Sequence, residues 1–142
     1  SPRERLRCVL AVCNAAGAAE LPVTVRCHAH QMAGALLHEY TLEQGRAVQH
    51  LRTALGLCGK LARHSDCWLA TACASVRVCI ALLRSGSLHE ARSLLAAVRG
   101  QFKEHATGVR RSDLARIEQL MRAGKKQLER LRNPNMRRIT YG

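Results

Sequence analysis

Apolar residues recur at every third or fourth position along most of the chain, which is the spacing of one face of an α-helix. The pattern is most regular over residues 110–132, where it suits coiled-coil-like packing on a neighbouring helix. No long stretch alternates between apolar and polar residues, as a half-exposed strand would. The sequence therefore predicts an all-α helical-repeat domain over residues 1–132, with helices near 3–17, 23–40, 42–63, 66–85, 88–105 and 110–132, followed by a basic tail over 133–142.

Two of the predicted helix starts carry a capping signal. Thr41 and Gln44 have the spacing of a capping box, in which each side chain satisfies a free backbone group of the first turn. Ser87 and Glu90 form a second box. Gly86 directly precedes that box and suits the left-handed residue that ends a helix. These signals predict breaks before the third and fifth helices.

Glycines interrupt two of the predicted helices. Gly34 lies inside the second helix, where glycine costs about 1 kcal/mol relative to alanine, so it either weakens the helix or marks a close crossing. Gly56 and Gly59 weaken the second half of the third helix. A kink or an early end is therefore expected between these two residues.

The fourth predicted helix is apolar around most of its circumference. Between Trp68 and Ser85 the only charged residues are Arg77 and Arg84. A helix of this kind is usually central in a fold, and otherwise exposes an apolar face to a partner. It lacks the run of about 18 uninterrupted apolar residues that a membrane span requires, so no span is expected.

Two predicted helical hairpins, 23–63 and 66–105, resemble one another. Aligning Ala47 with Ala91 gives an offset of 44 residues, and aligning the two capping boxes gives 46. A period in this range is typical of two-helix solenoid repeats.

Residues 82–95 resemble the middle of a tetratricopeptide repeat. In that repeat one helix ends at a glycine turn, and the next begins with an apolar residue followed three positions later by alanine. Gly86, Leu88, Ala91 and Leu95 match this pattern. The resemblance implies a right-handed superhelix of about six antiparallel helices, with the basic last helix as its cap.

The resemblance also implies a concave face on the first helix of the repeat. Family members that bind peptide carboxyl ends carry lysine and asparagine there, whereas this chain has Val76 and Ile80, which argues against a carboxylate clamp. The face either binds an apolar segment of a partner or is filled by another helix of the same chain, and filling from within is the more common arrangement. The residues expected to form it are Cys73, Val76, Ile80 and Leu83.

The net charge of +13 is concentrated towards one end of the chain. Residues 109–142 carry ten Lys or Arg and three Asp or Glu, an excess of +7, whereas residues 1–108 carry thirteen and seven, an excess of +6. Such a segment is either a solvated helix face or a contact for an acidic partner, which is an acidic protein surface, the phosphates of a nucleic acid such as RNA, or an anionic membrane. Tyr141 is its only aromatic residue, so RNA binding would depend on the phosphate backbone. The candidate contacts are Arg110, Arg111, Arg122, Lys125, Lys126, Arg130, Arg137 and Arg138.

Seven cysteines lie mostly within apolar helical stretches. Their odd number and the lack of CxxC pairs argue against a disulfide framework and favour a reducing intracellular compartment, cytoplasm or nucleus. Two groups contain metal-ligand residue types without zinc-finger spacing, so no metal and no cofactor are expected. In the first group, His28 and His30 would point away from each other on a helix. The two groups are Cys27 with His28 and His30, and Cys58 with His64 and Cys67.

No phosphate-binding loop, nucleophile elbow or paired-carboxylate site is present in the sequence. We therefore expect a non-enzymatic protein-interaction module, a scaffold or adaptor, with a structural RNA-binding component of a ribonucleoprotein as the alternative. The chain begins with Ser1 rather than Met, which is consistent with a fragment of a longer chain or with a processed form.

Overall fold

The computed structural model describes residues 1–60, 66–105 and 111–132. Most of these residues are helical, and none of them lies in a strand. The all-α prediction is confirmed. The predicted tail over 133–142, with Arg137 and Arg138, lies outside the described residues, as do Arg110 and His64. The helices are α1 (Pro2–Asn14), α2 (Val23–Tyr40), α3 (Gln44–Cys58), α4 (Asp66–Arg84), α5 (Leu88–His105) and α6 (Arg111–Arg132), with a short 3₁₀ turn at Ala18–Glu20.

The start of α3 differs from the expected capping box. Thr41 ends α2 instead of starting α3: its hydroxyl donates to the carbonyl of Leu37 at 2.6 Å and accepts from the amide of Glu43 at 3.1 Å. The side-chain amide of Gln44 donates to the carbonyl of Thr41 at 3.2 Å and does not reach back to its N–H. The capping-box prediction at Thr41 is therefore wrong, because Thr41 satisfies the end of the preceding helix. The third helix ends at Cys58, between the two glycines that were expected to weaken it.

The turn between α4 and α5 has the geometry of a Schellman motif. Gly86 has a φ of 85°, in the left-handed region that favours glycine. Its amide donates to the carbonyl of Leu83 at 3.2 Å, and the amide of Ser87 donates to that of Leu82 at 2.9 Å. The carbonyls of Leu82 and Leu83 are thereby satisfied, and the chain reverses where the sequence predicts it.

Helix α4 is central. It packs against α2, α3, α5 and α6, while α2 also packs on α1 and α3, and α3 on α5. By contrast α1 has no buried residue and lies at the periphery. The main core joins α4 to α3 and α5 through Leu51, Leu55, Val76, Cys79, Leu82, Leu83, Leu94 and Val98.

Among the described residues, one helical segment has the length and composition of a membrane span. This is Cys67–Arg84, and 56% of it is buried inside the fold. A buried core helix passes the same test, so the segment is weak evidence for a membrane.

Candidate functional site

A groove runs along α4 between α2 and α6, and we call it the central groove. Its volume is about 430 Å³. The α4 residues supply its apolar wall, and most of the polar groups come from the neighbouring helices. Its lining residues are Gln31 of α2, then Leu69, Ala70, Cys73, Ala74 and Arg77 of α4, and Asp113 and Arg116 of α6.

Two arginines give the central groove a positive rim. Burial raises the pKa of the Cys73 thiol, while the guanidinium groups of Arg116 and Arg77 oppose that shift and the carboxylate of Asp113 adds to it. All three charges therefore lie close enough to act on one thiol in the groove wall. The arginine side chains are exposed, so they are free to meet an anionic group in the groove.

The four residues expected to form an apolar binding face are not all available on the surface. Val76 and Leu83 are 0% and 1% exposed and belong to the main core, and Ile80 is partly buried against it. A Cβ atom on Gly124 of α6 would lie 3.9 Å from the Cγ1 atom of Ile80. Helix α6 thus covers much of this face, and only Cys73, which is 9% exposed, lines the central groove.

Apart from Cys73, the seven lining residues of the central groove were not among the site residues predicted from the sequence. Leu69, Ala70 and Ala74 lie on the first half of α4, where the groove is bordered by Asp113 and Arg116 of α6. The spacing of Ala70 and Ala74, one helical turn apart, was the available signal. That signal is weak, because small residues are common in helices of every kind.

The basic residues of α6 form a second surface. The described candidates Arg111, Arg122, Lys125, Lys126 and Arg130 are all exposed. Ile117 and Gly124 are buried on the other side of the helix, where α6 packs on α4. The structure therefore leaves these cations free on the last described helix.

Two of these cations meet residues of α5 in a smaller groove of about 260 Å³, which we call the basic groove. The aromatic ring of Phe102 lies in this groove beside three cations and one carboxylate. The sequence pattern did not associate Phe102 with the basic helix. The spacing of Arg99 and Phe102, one turn apart on α5, was the only signal. The lining residues are Arg99, Phe102, Glu118, Met121, Arg122 and Lys125.

Three thiols meet where α2, α3 and α4 come together. The Sγ atom of Cys27 lies 3.4 Å from that of Cys58 and 3.2 Å from that of Cys67. Cys27 also donates to the carbonyl of Ala54 at 3.4 Å. The hydrogen bond between Cys27 and Cys58 raises the pKa of Cys27 and lowers that of Cys58, while burial raises the pKa of Cys67 to about 11. The fold thus joins members of the two cysteine groups that the sequence left apart.

A second cluster combines one thiol with two imidazoles. The Nδ1 atoms of His30 and His50 are 2.9 Å apart, and the ring centroids are 5.1 Å apart at a tilt of 31°. Cys13 of α1 completes the cluster, with all three potential ligand atoms within 4.8 Å of one another. His28 is exposed and apart from this cluster, in agreement with the helical argument that separates it from His30.

Both imidazoles of this cluster favour the neutral form. Burial lowers the pKa of His30, and the nearby cation of Arg26 lowers it further. Burial also lowers the pKa of His50, with smaller effects from His30 and Arg46. Burial raises the pKa of the Cys13 thiol.

Comparison of the chain with protein-family models, with curated proteins and with solved structures gives no match.

Proposed function

We propose that this chain is a non-enzymatic protein-interaction module, a scaffold or adaptor. In this proposal the central groove holds an extended apolar segment of a partner protein, and an acidic residue of that segment meets Arg77 and Arg116. The exposed cations of α6 contact an acidic surface of the same partner. The observation that carries the proposal is the groove itself, with an apolar wall on α4 and two exposed arginines beside it.

The order in which the helices pack supports a tetratricopeptide-like array. Helices α2, α4 and α6 contact one another in succession, and α3 contacts α5. In a two-helix solenoid each helix packs on its counterpart in the next repeat, which generates two layers of this kind. The central groove opens on the layer formed by α2, α4 and α6. We therefore propose that α6 caps the array and that the groove is its concave binding surface.

Selection from a random peptide library tests the proposal. Peptides that combine apolar residues with Asp or Glu are expected to be enriched, because they complement both the wall and the rim. The double variant R77E/R116E should bind the selected peptides at least about tenfold more weakly, a change of about 1.4 kcal/mol. Ala70→Trp should also weaken binding, since Ala70 is exposed and lines the groove.

The matched control is R5E/R92E. It changes the net charge by the same amount, and both arginines are exposed and outside the groove lining. Unchanged affinity in this control is expected. If no peptide is enriched, or if the groove variants and the control lose affinity equally, the proposal fails.

The basic groove favours a second candidate, a structural RNA-binding component. Arg99, Arg122 and Lys125 are exposed cations suited to phosphates, and Phe102 provides a ring on which a base can stack. Binding of a single-stranded oligouridine should then fall steeply between about 50 and 200 mM salt. Phe102→Leu should weaken it while keeping apolar volume in the fold. The absence of binding at low salt would remove this candidate.

A further inference from the structure

We propose that Cys13, His30 and His50 bind one zinc ion, which ties α1 to α2 and α3. The three residues come from three different helices, and their potential ligand atoms lie within 4.8 Å of one another. Each side chain is partly buried. The surrounding helices therefore restrict the side chains, and the cluster is still accessible to an ion from solvent. Sequence spacing gave no sign of it, and no metal was expected.

The geometry is close to what zinc requires. Two imidazole nitrogens bound to a tetrahedral zinc at about 2.0–2.1 Å are separated by about 3.3–3.4 Å. The observed Nδ1 separation of 2.9 Å would have to widen by only about 0.4 Å to admit the ion. The present contact requires the Nδ1–H of one imidazole to donate a hydrogen bond to the Nδ1 lone pair of the other. On binding, the donor ring releases its Nδ1 proton to solvent and takes up a proton at Nε2, so both rings stay neutral and two metal–nitrogen bonds replace the single hydrogen bond.

The two imidazole donors are in a suitable protonation state, whereas the Cys13 thiol, whose pKa is raised by burial, has to ionise on binding. Neutral imidazole is the form that binds a metal, and burial together with Arg26 and Arg46 favours that form in both histidines. Cys13 must release its thiol proton to solvent on binding, so the charge balance of the site is one thiolate, two neutral nitrogens and the dication. Sulfur and nitrogen donors of this kind match zinc, and they do not match magnesium or calcium.

Three protein ligands leave a fourth position, and the structure has space beside it. A cavity of about 340 Å³ is lined by Cys13 and His30, by Val12 of α1, and by alanines of α2 and of the segment between the two helices. Arg26 also lines this cavity and carries a positive charge. We assign the fourth position to a water molecule from this cavity.

Such a site would explain how α1 is held in place. No residue of α1 is buried, and Leu6, Val9 and Leu10 are only partly covered. Hydrophobic burial is therefore a weak anchor for this helix. Cys13 lies in its last turn, so a zinc bond there would fix the end of α1 that faces α2.

Titration of the metal-free protein with Co²⁺ and with Zn²⁺ tests the proposal. Co²⁺ is expected to bind one per chain, with a thiolate charge-transfer band and the intense visible bands of a tetrahedral ion, and Zn²⁺ should displace it. Cys13→Ser, His30→Gln and His50→Gln should each weaken binding by at least about 100-fold. Zinc should also slow hydrogen exchange in α1, a readout that does not depend on spectroscopy.

The chain offers close controls. Cys8→Ser changes an exposed cysteine on the same helix as Cys13, and His28→Gln changes an exposed histidine two residues from His30. Neither should alter binding. If Cys27→Ser abolishes binding and Cys13→Ser does not, the ion belongs to the three-thiol cluster and the proposal is overturned. Octahedral cobalt spectra, or unchanged exchange in α1, would overturn it as well.

Discussion

At the scale of the residue, Gly34 shows how closely α2 and α3 approach. A Cβ atom at this position would lie 2.6 Å from the Cγ atom of Leu51 and 2.9 Å from the carbonyl oxygen of Ala47. A backbone oxygen cannot move aside as the end of a long side chain can. The close packing of α2 on α3 therefore requires glycine at this position. The helix propensity that glycine lacks relative to alanine is the smaller effect.

Replacing Gly34 by alanine should destabilise the protein. Overpacking of a core typically costs about 1–3 kcal/mol. The contact with the backbone oxygen of Ala47 places Gly34 towards the upper end of that range, above the gain of about 1 kcal/mol in helix propensity. Gly56→Ala is the matched control, because Gly56 is also helical but exposed with nothing within 4 Å of its Cβ position. It should stabilise the protein by about 0.5–1 kcal/mol. Urea unfolding followed by circular dichroism measures both, and equal shifts in the two variants would contradict the close crossing.

The candidate site was only partly predictable at this scale. Cys73 was identified because it belongs to an apolar stripe with helical spacing. Cys13 and His50 were not, because they meet His30 only through the way α1 and α3 cross α2. Cys13 and His50 are 37 positions apart in the sequence, and no local pattern carries information about such a contact.

At the scale of the element, the position of α4 followed from its composition, while the way it is covered did not. Helical spacing predicted a helix over 66–85, and the structure has Asp66–Arg84. The excess of apolar surface was compatible both with a core helix and with an open face. The choice depends on where α6 packs, which is a tertiary contact.

A series of aspartate substitutions along α4 should therefore have graded effects. Val76→Asp buries a charge at a position with 0% exposure and should unfold the protein, since the penalty is several kcal/mol. Ile80→Asp should cost less, because Ile80 is partly exposed. Ala70→Asp is the control on the exposed side and should leave the fold intact. Thermal unfolding measures the order, and a stable Val76→Asp variant would contradict the position of α4 in the core.

At the scale of the whole molecule, the charge of +13 creates a field that extends beyond any one contact. Lys126 lies ten residues beyond Arg116 on α6, which is about 15 Å along the helix. The screening length is about 30 Å at 0.01 M salt and about 8 Å at 0.15 M. Cations at this distance therefore act on a ligand in the central groove at low salt only.

The dependence on salt therefore distinguishes long-range electrostatic attraction by α6 from direct contact in the central groove. For a short acidic peptide that fills the central groove, K126E/R130E should lower the association rate several-fold at low salt, and the effect should vanish near 0.15 M. The dissociation rate should stay the same, because neither residue touches the peptide. Ala70→Trp should instead raise the dissociation rate, and it should do so at every salt concentration. Stopped-flow kinetics measures both rates. If K126E/R130E changes the dissociation rate, the peptide contacts the basic residues of α6. The binding surface would then be assigned to α6 and not to α4.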